Sequence, residues 1–521
     1  MSAQSPRRVL ILDTTLRDGA QSPGVSFTVK DKVRIAEALD SLRVDIIEAG
    51  NPGGNPKDAA FFADPPQMRG AKLAAFGATR RAGVSAEIDA NLSALLHAKT
   101  DTLVLFGKAS TFHVDEILRA DLGENLLMIE DSIRFLVSLG RTVHFDAEHF
   151  FDGYDIDEDY ALEVVRTAAR AGAASVALCD TNGGELPWRV AEAVRIVART
   201  VDVPVAIHCH NDGGTAVAST LLAVRAGADI VHGTFAGLGE RCGNADLCSV
   251  LPTLMYKMGV ETSCADTLNN LTTTARLIAD AANLELPRNM PYVGAEAFAH
   301  KGGMHVDGVR KASRSFEHIA PELVGNERRL LISDQSGRSA LLDKLYAIAP
   351  DVSRADPILA EIADRLKLKE MEGFSYEGAE GSFKLMAMRL LGRVRPHFEA
   401  LDFHVQASKP WAGDSSQAYI KIRVNGTEEI TAAEGTGPVG ALDRALRRAL
   451  TVFYPDLSCV RLVDFKVRVI DSFATDSMVR VTIESTDGVK TWGTVGVSRN
   501  IIEACWQALV DSVEYKLSAL S

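Results

Sequence analysis

Val203-Pro204-Val205-Ala206-Ile207-His208-Cys209-His210-Asn211-Asp212 reads as a short buried strand that ends in two histidines. A brief, continuous apolar run closed by polar and turn-forming residues is the pattern of a strand covered on both faces, as in a parallel sheet. Side chains at i and i+2 share one face of a strand, so the imidazoles of His208 and His210 project toward one point. That arrangement suits a divalent metal. Taken alone such a pair is more often hydrogen-bonded core or surface histidines than metal ligands, and the rest of the chain has to decide.

Seven more runs of the same kind flank it: Val9–Leu12, Asp45–Glu48, Leu73–Phe76, Thr102–Phe106, Thr142–Asp146, Ser175–Cys179 and Asp229–Gly233. Amphipathic stretches separate them. Thr28 is a natural N-cap with Asp31 at the capping-box position, and Val33, Ala36, Leu39 and Leu42 then fall on one helical face. Strand–helix alternation repeated eight times predicts an α/β fold, a (β/α)8 TIM barrel, over residues 1–270. An open doubly wound sheet is the alternative, but no GxGxxG follows the first strand. Residues 271–395 predict helical linker subdomains around the loop Gly294-Ala295-Glu296-Ala297-Phe298-Ala299-His300-Lys301-Gly302-Gly303-Met304-His305-Val306-Asp307-Gly308. Residues 396–521 carry an internal near-repeat. Tyr419–Val424, Asn425-Gly426, Thr427–Thr431, Gly435-Thr436-Gly437-Pro438 and a helix through Leu450 are echoed by Val479–Ser485, Asp487-Gly488, Lys490–Gly493, Val495-Gly496 and a helix through Leu517. Asn-Gly and Asp-Gly mark two-residue hairpins, so each copy is a ββα unit. Together the copies predict a C-terminal α+β domain, either a packed module without a ligand or a regulatory and dimerisation domain whose glycine turns leave room for an effector.

Composition narrows the function classes. The chain has 521 residues, 46% of them apolar and 24% charged, as expected for a globular protein of two or three domains. No apolar run approaches the roughly 18 residues that span a bilayer, and the first residues lack a signal-peptide core, which predicts a cytoplasmic protein with no membrane partner. A net charge of -13 argues against nucleic acid. Seven scattered cysteines without a CxxC pair indicate neither a disulfide framework nor a cysteine zinc site.

Sites on this barrel lie at the C-terminal strand ends. Read in order, those ends are rich in polar groups: Asp13-Thr14-Thr15-Leu16-Arg17-Asp18-Gly19, Glu48-Ala49-Gly50, Asp146-Ala147-Glu148-His149, Asp180-Thr181-Asn182, His208 with His210, and Gly237-Leu238-Gly239-Glu240-Arg241-Cys242-Gly243-Asn244-Ala245. Asp18, His208 and His210 supply a carboxylate and two imidazoles, a set suited to Mg²⁺, Mn²⁺ or Zn²⁺ with positions left for substrate oxygens. Arg17 beside such an ion can polarise a ketone and stabilise an alkoxide; its alternative is a surface salt bridge. Glu148 is a candidate general base, or else a charged partner for Arg17 or Lys108.

Three stretches, Leu12–Gln21, His208–Asp212 and Gly237–Ala245, resemble the signature of the alpha-isopropylmalate/homocitrate/citramalate synthase family. Phe145–Gly153, Cys179–Gly184, Phe298–His305, Pro321–Arg329 and the Gly435–Pro438 module are similar to its citramalate branch, so the likeness spans almost the whole chain. The resemblance implies a Claisen-type condensation of acetyl-CoA with pyruvate, followed by thioester hydrolysis to (R)-citramalate and CoA, in isoleucine synthesis. It implies Asp18, His208, His210 and Asn244 as metal ligands. It implies Arg17 as the electrophilic residue, Gln21 and Thr181 as further substrate contacts, and Glu148 with His305 as acid/base groups. It further implies a homodimer in which the His305 region covers the partner's barrel, and isoleucine as the effector.

Two departures from the family pattern stand out. Phe316 occupies the place where relatives usually carry tyrosine, and its ring can neither donate nor accept a proton. Asn51 replaces a tryptophan typical of the citramalate branch. The 2-isopropylmalate and homocitrate synthases remain as alternatives, because a methyl group or two in a pocket is worth only ~1–3 kcal/mol. A metal-dependent acyl-CoA lyase is disfavoured by the Glu240-Arg241-Cys242-Gly243 loop, where lyases carry Gly-Gly-Cys-Pro. A non-catalytic regulatory homologue has only Phe316 in its favour.

Overall fold

The computed structural model describes residues 7–330, 345, 348–353, 356–407, 416–470 and 477–520. They fall into two compact units. One comprises the chain up to Phe298 together with His318–Arg328; the other comprises Ala299–Glu317 and the chain from Arg329 onward. These units cut across the segments expected from sequence. Part of the stretch expected as linker belongs with the barrel and part with the C-terminal sheets.

The first unit is a closed barrel of eight parallel strands in chain order. They are β1 (Leu10–Asp13), β2 (Ile46–Gly50), β3 (Lys72–Ala78), β4 (Thr102–Lys108), β5 (Thr142–Glu148), β6 (Ser175–Asp180), β7 (Val205–Cys209) and β8 (Ile230–Gly233). β8 returns to pair with β1, which closes the sheet. Several strands run past their expected ends, so Lys108 and Glu148 sit on facing rungs of β4 and β5. Helix α1 (Val29–Ser41) starts at Thr28 with the expected capping box.

Alternation within the strands sorts the interior. Ile47, Ala75, Leu105, Phe145 and Ile207 belong to the large core between strands and helices. Leu12, Ile46, Ala74, Val104, Ala177, Cys179, Ala206 and Ile230 form a separate small cluster inside the barrel. Residues two positions further along most strands share that inward face: Glu48, Phe76, Phe106, His208 and His232. On β5 the inward set is polar throughout, with His144, Asp146 and Glu148. A dry apolar plug thus gives way, toward the C-terminal rim, to a layer of charged and aromatic groups.

In the second unit, β9 (Ala299–His300) pairs with β10 (Arg329–Leu330) beside the helix Gly303–Lys311. Further on come two three-stranded antiparallel sheets: β11 (Glu399–Ala407), β12 (Ser416–Val424), β13 (Thr427–Gly435), and β14 (Arg461–Val469), β15 (Val479–Thr486), β16 (Thr491–Ser498). Each is followed by a helix, Pro438–Thr451 or Ile501–Leu520, and all of them share one core that includes Ile420, Leu446, Ile483 and Leu509. Each repeat therefore carries one strand more than the expected ββα. The added strands hold the related Leu401-Asp402-Phe403-His404-Val405 and Val463-Asp464-Phe465-Lys466-Val467, which share Asp, Phe and Val. A register shift recurs at the same place in both, between Ala400 and Asp402 and between Leu462 and Asp464. Asn425-Gly426 forms the expected two-residue turn, both residues having positive φ. Asp487-Gly488 instead opens a longer loop, in which the Asp487 carboxylate accepts from the Val489 and Lys490 amides. Among the described residues no helix is long and apolar enough to cross a membrane.

Candidate active site at the strand ends

Asp18, just past β1, lies against the end of β7. Its Oδ2 is 3.3 Å from His208 Nε2 and 3.6 Å from His210 Nε2. All three residues are buried, and their ligand atoms lie within 4.8 Å of one another. Burial alone would raise the carboxyl pKa of Asp18, but the Arg17 charge and the adjacent His208 imidazole more than offset this and hold it well below the usual range. Burial and neighbouring His208 push His210 down to about 4, which leaves a neutral imidazole able to bind a cation.

Asn244 joins this group through the last barrel loop. It forms a bridge with His210, and its Nδ2 donates to the Leu238 carbonyl at 3.1 Å. Two glycines allow the approach. A Cβ on Gly243, at φ +83°, would lie 1.8 Å from the Gly237 carbonyl oxygen, and one on Gly239 would lie 2.1 Å from Asn244 Nδ2. Arg241 ties three loops together: it grips Asp212 with two nitrogens at 2.8 and 3.0 Å and donates to the Thr181 carbonyl at 2.7 Å.

The residues fit a metal ion. Asn244 Oδ1 is buried without a hydrogen-bond partner, and Asp18 Oδ2 meets only Arg17 and the two imidazoles at 3.3–3.6 Å, so both oxygens keep capacity for a cation. Two carbonyl or carboxylate oxygens and two imidazoles are a donor set that divalent first-row ions and Mg²⁺ accept.

Arg17 is fixed on three sides. Its Nε donates to Glu48 Oε2 at 2.6 Å, its NH1 is 3.4 Å from Asp18, and the guanidinium carbon stands 4.0 Å over the Phe76 ring. Phe76 in turn stacks on Phe106, with centroids 5.1 Å apart. Burial works against the guanidinium charge, but Glu48 and Asp18 outweigh it and raise the pKa further. The surface-salt-bridge alternative for Arg17 is thereby excluded, because Glu48 is fully buried. Asp146, buried on β5, has its carboxyl pushed up to about 7 by burial and then by the charge of Glu48.

Glu148 pairs with Lys108. The next residue, His149, takes a left-handed backbone, φ +59°, and its amide donates to Thr181 Oγ1 at 2.8 Å. The Thr181 hydroxyl proton is left free for another acceptor. The His149 ring stacks on His113 at 3.6 Å and reaches Asp152 through Nδ1 at 3.0 Å. Gln21 and Arg17 line a cavity of about 380 Å³ with Phe76, Lys32 and Asn51. Asn51 turns its carboxamide to the Gly53 and Gly54 amides at 3.1 and 3.0 Å, so it closes a turn instead of presenting an apolar wall.

His305 belongs to the second unit. It is exposed on its helix and stacks on Phe316, with centroids 4.1 Å apart and planes at 19°. Below it, His300 and Glu317 form a buried pair at 3.1 Å. Glu48 and Asp146 were recognisable only as polar strand ends. The Lys108–Glu148 pair was one of the partners the sequence offered for Glu148, whereas the roles of Phe76 and His113 had no signal in the sequence, because each depends on a neighbour from another element.

The fold and the rim define a class. The HMGL-like family model matches residues 8–278, the homocitrate synthase post-HMGL domain-like model residues 292–370, and the LeuA allosteric (dimerisation) domain model residues 377–517. An (R)-citramalate synthase of Aquifex aeolicus is 48% identical over 98% of either chain. One of Geobacter sulfurreducens is 48% identical over 98% of this chain and 97% of its own. A probable 2-isopropylmalate synthase of Methanopyrus kandleri is 34% identical over 98% of both. The chain belongs to the (R)-citramalate synthase family.

Replacing His210 with alanine removes one of two imidazoles from the cluster. Isothermal titration with Mn²⁺ is expected to show at least ~10-fold weaker binding than in the unaltered protein. Equal affinity would place the ion elsewhere.

Proposed function

We propose that the chain condenses acetyl-CoA with pyruvate and releases (R)-citramalate and CoA. The observation that carries this reading is the Arg17 guanidinium, clamped by Glu48 and Phe76 beside the Asp18–His208–His210 cluster. It presents a rigid cationic donor where charge develops when a ketone carbonyl is attacked. The near-full-length identity to (R)-citramalate synthases supports pyruvate over larger oxo acids.

A Mg²⁺ or Mn²⁺ ion, or Zn²⁺, held by Asp18, His208, His210 and Asn244, would supply Lewis-acid polarisation of the 2-oxo group. The Thr181 hydroxyl donates to the pyruvate carboxylate, and Gln21 lines the pocket beside it. Glu148 removes a proton from the acetyl methyl group, with Lys108 stabilising its carboxylate before transfer. The carbon released from that proton bonds to C2 of pyruvate. Arg17 donates to the resulting alkoxide, which takes up the proton that Glu148 removed, returning Glu148 to the carboxylate. His305 shares the acid/base work, its ring held flat by Phe316. Water then cleaves the thioester, and CoA leaves as the thiol. The protein works as a cytoplasmic homodimer, in which the helix bearing His305 covers the partner's barrel. The LeuA-type domain binds isoleucine as a feedback effector.

CoA-thiol release with acetyl-CoA, with and without Mg²⁺ or Mn²⁺, tests the reaction directly. Pyruvate is expected to give metal-dependent release at a higher kcat/KM than 2-oxoisovalerate or 2-oxoglutarate. Preference for either larger acid would make this an isopropylmalate or homocitrate synthase. No release from any of them would refute the condensation.

Regulation is tested separately by a chain ending at residue 395. Isoleucine is expected to inhibit the full protein and to leave any activity of the shortened one unaffected. Full inhibition of the shortened chain would refute an effector site in the C-terminal domain.

A further inference from the structure

Lys32 carries one of the few fully buried cations in the barrel unit, and no motif or catalytic role accounts for it. It sits in the first turn of α1, with its side chain 3% exposed. An ammonium has three N–H donors, and all three are used. One goes to the Leu16 carbonyl at 2.9 Å, one to the Ala49 carbonyl at 2.8 Å, and one to the Asp58 carboxylate on helix α2 (Pro56–Ala63). Leu16 immediately precedes Arg17, and Ala49 immediately follows Glu48.

The strand register gives these contacts their meaning. Along β2, Glu48 pairs with Ala74 and Gly50 with Ala75, so Ala49 is an extra residue in a local bulge. Bulges re-aim neighbouring side chains and leave the extra residue outside the ladder. Here the carbonyl of that residue is taken by Lys32. The other Asp58 oxygen accepts from the Asn51 amide at 2.8 Å, which fixes the far side of the bulge. Gly50, at φ +140°, makes room for this: a Cβ there would lie 2.4 Å from Asp58 Cγ. One buried ion pair therefore ties the backbone on either side of the two residues whose side chains form the Arg17–Glu48 clamp.

A buried ion pair is poor evidence of a stabilising role, since a well-packed apolar pair commonly holds a fold as well or better. What an apolar pair cannot do is bond two carbonyls at defined positions. We infer that Lys32, with Asp58, is a positioning residue that sets the direction of the Arg17 guanidinium at the reacting ketone. This rests on the role given to Arg17 under the proposed condensation. Lys32 stands in the wall of the Arg17 cavity, but its three donors are all taken by Leu16, Ala49 and Asp58, so in this account it acts through the loops after β1 and β2 and not on substrate.

The test uses the full-length protein, with CoA release from acetyl-CoA and pyruvate as the assay. The paired change Lys32→Met with Asp58→Asn removes both charges together, so neither is left buried alone. Misplacing a donor by about an ångström costs up to roughly 100-fold in rate, so kcat is expected to fall about 10- to 100-fold while KM for pyruvate changes little. Asp58→Asn alone, which keeps the shape, is expected to give a smaller loss in the same direction. The distinguishing readout is a cycle with Glu48→Gln, which loosens the same clamp. In that background the paired change should cost far less than in the unaltered protein, because both act through Arg17. An equal loss in both backgrounds, or an unchanged kcat, would overturn the positioning role. Absence of CoA release from the unaltered protein would contradict the condensation itself and is thereby distinguished from failure of the Lys32 inference.

Discussion

Closure of the barrel is the constraint on which the rest depends. Asp18 stands near the beginning of the chain, and His208 and His210 stand near the end of the barrel. They meet because β8 pairs with β1 on one side and with β7 on the other. An open sheet of the same strands would leave β1 and β8 at opposite edges and the cluster apart. Closure also puts every strand end on one rim, so Arg17 from β1, Glu48 from β2, Asp146 and Glu148 from β5 and Thr181 from β6 converge with no long excursion of backbone.

Concentrating charge at that rim has a cost, and the arrangement shows how it is contained. Asp18, Glu48 and Asp146 are all buried. Arg17 compensates two of them directly, while Asp146 relieves the strain by a pKa near neutrality. Asn244 Oδ1 has no hydrogen-bond partner, and the three groups around Asp18 Oδ2 all stand at 3.3–3.6 Å, beyond a short hydrogen bond. A bound cation would satisfy both and hold the two imidazoles in place. The small apolar cluster beneath, from Leu12 to Ile230, surrounds the rim charges with apolar groups from below, and a low local dielectric keeps these interactions strong.

Much of the architecture was legible because it follows from local pattern. Eight apolar runs separated by amphipathic stretches gave the barrel its strands, and the polar residues following them marked the rim. Thr28 and Asp31 announced the start of α1. What was not legible depends on contacts between elements. Phe76 is an unremarkable strand residue until Arg17 is seen above its ring, and Lys32 is an ordinary helix lysine until its three acceptors are in place. The extra strand of each C-terminal repeat carries no local signal of that kind: Asn-Gly and Asp-Gly mark the hairpins, whereas Asp402-Phe403 and Asp464-Phe465 repeat with no turn residue beside them. Asn51 lines the cavity beside Arg17 where the citramalate branch tends to carry tryptophan, and its carboxamide also closes the turn that follows β2.

The central claim is that the rim holds one divalent cation among Asp18, His208, His210 and Asn244, next to the Arg17 guanidinium. An anomalous-difference map from crystals of the protein soaked with Mn²⁺ and pyruvate tests it most directly. The account expects a single strong peak within bonding distance of those four side chains, with the oxo acid between the ion and Arg17. A peak elsewhere on the molecule, or pyruvate bound away from Arg17, would contradict it.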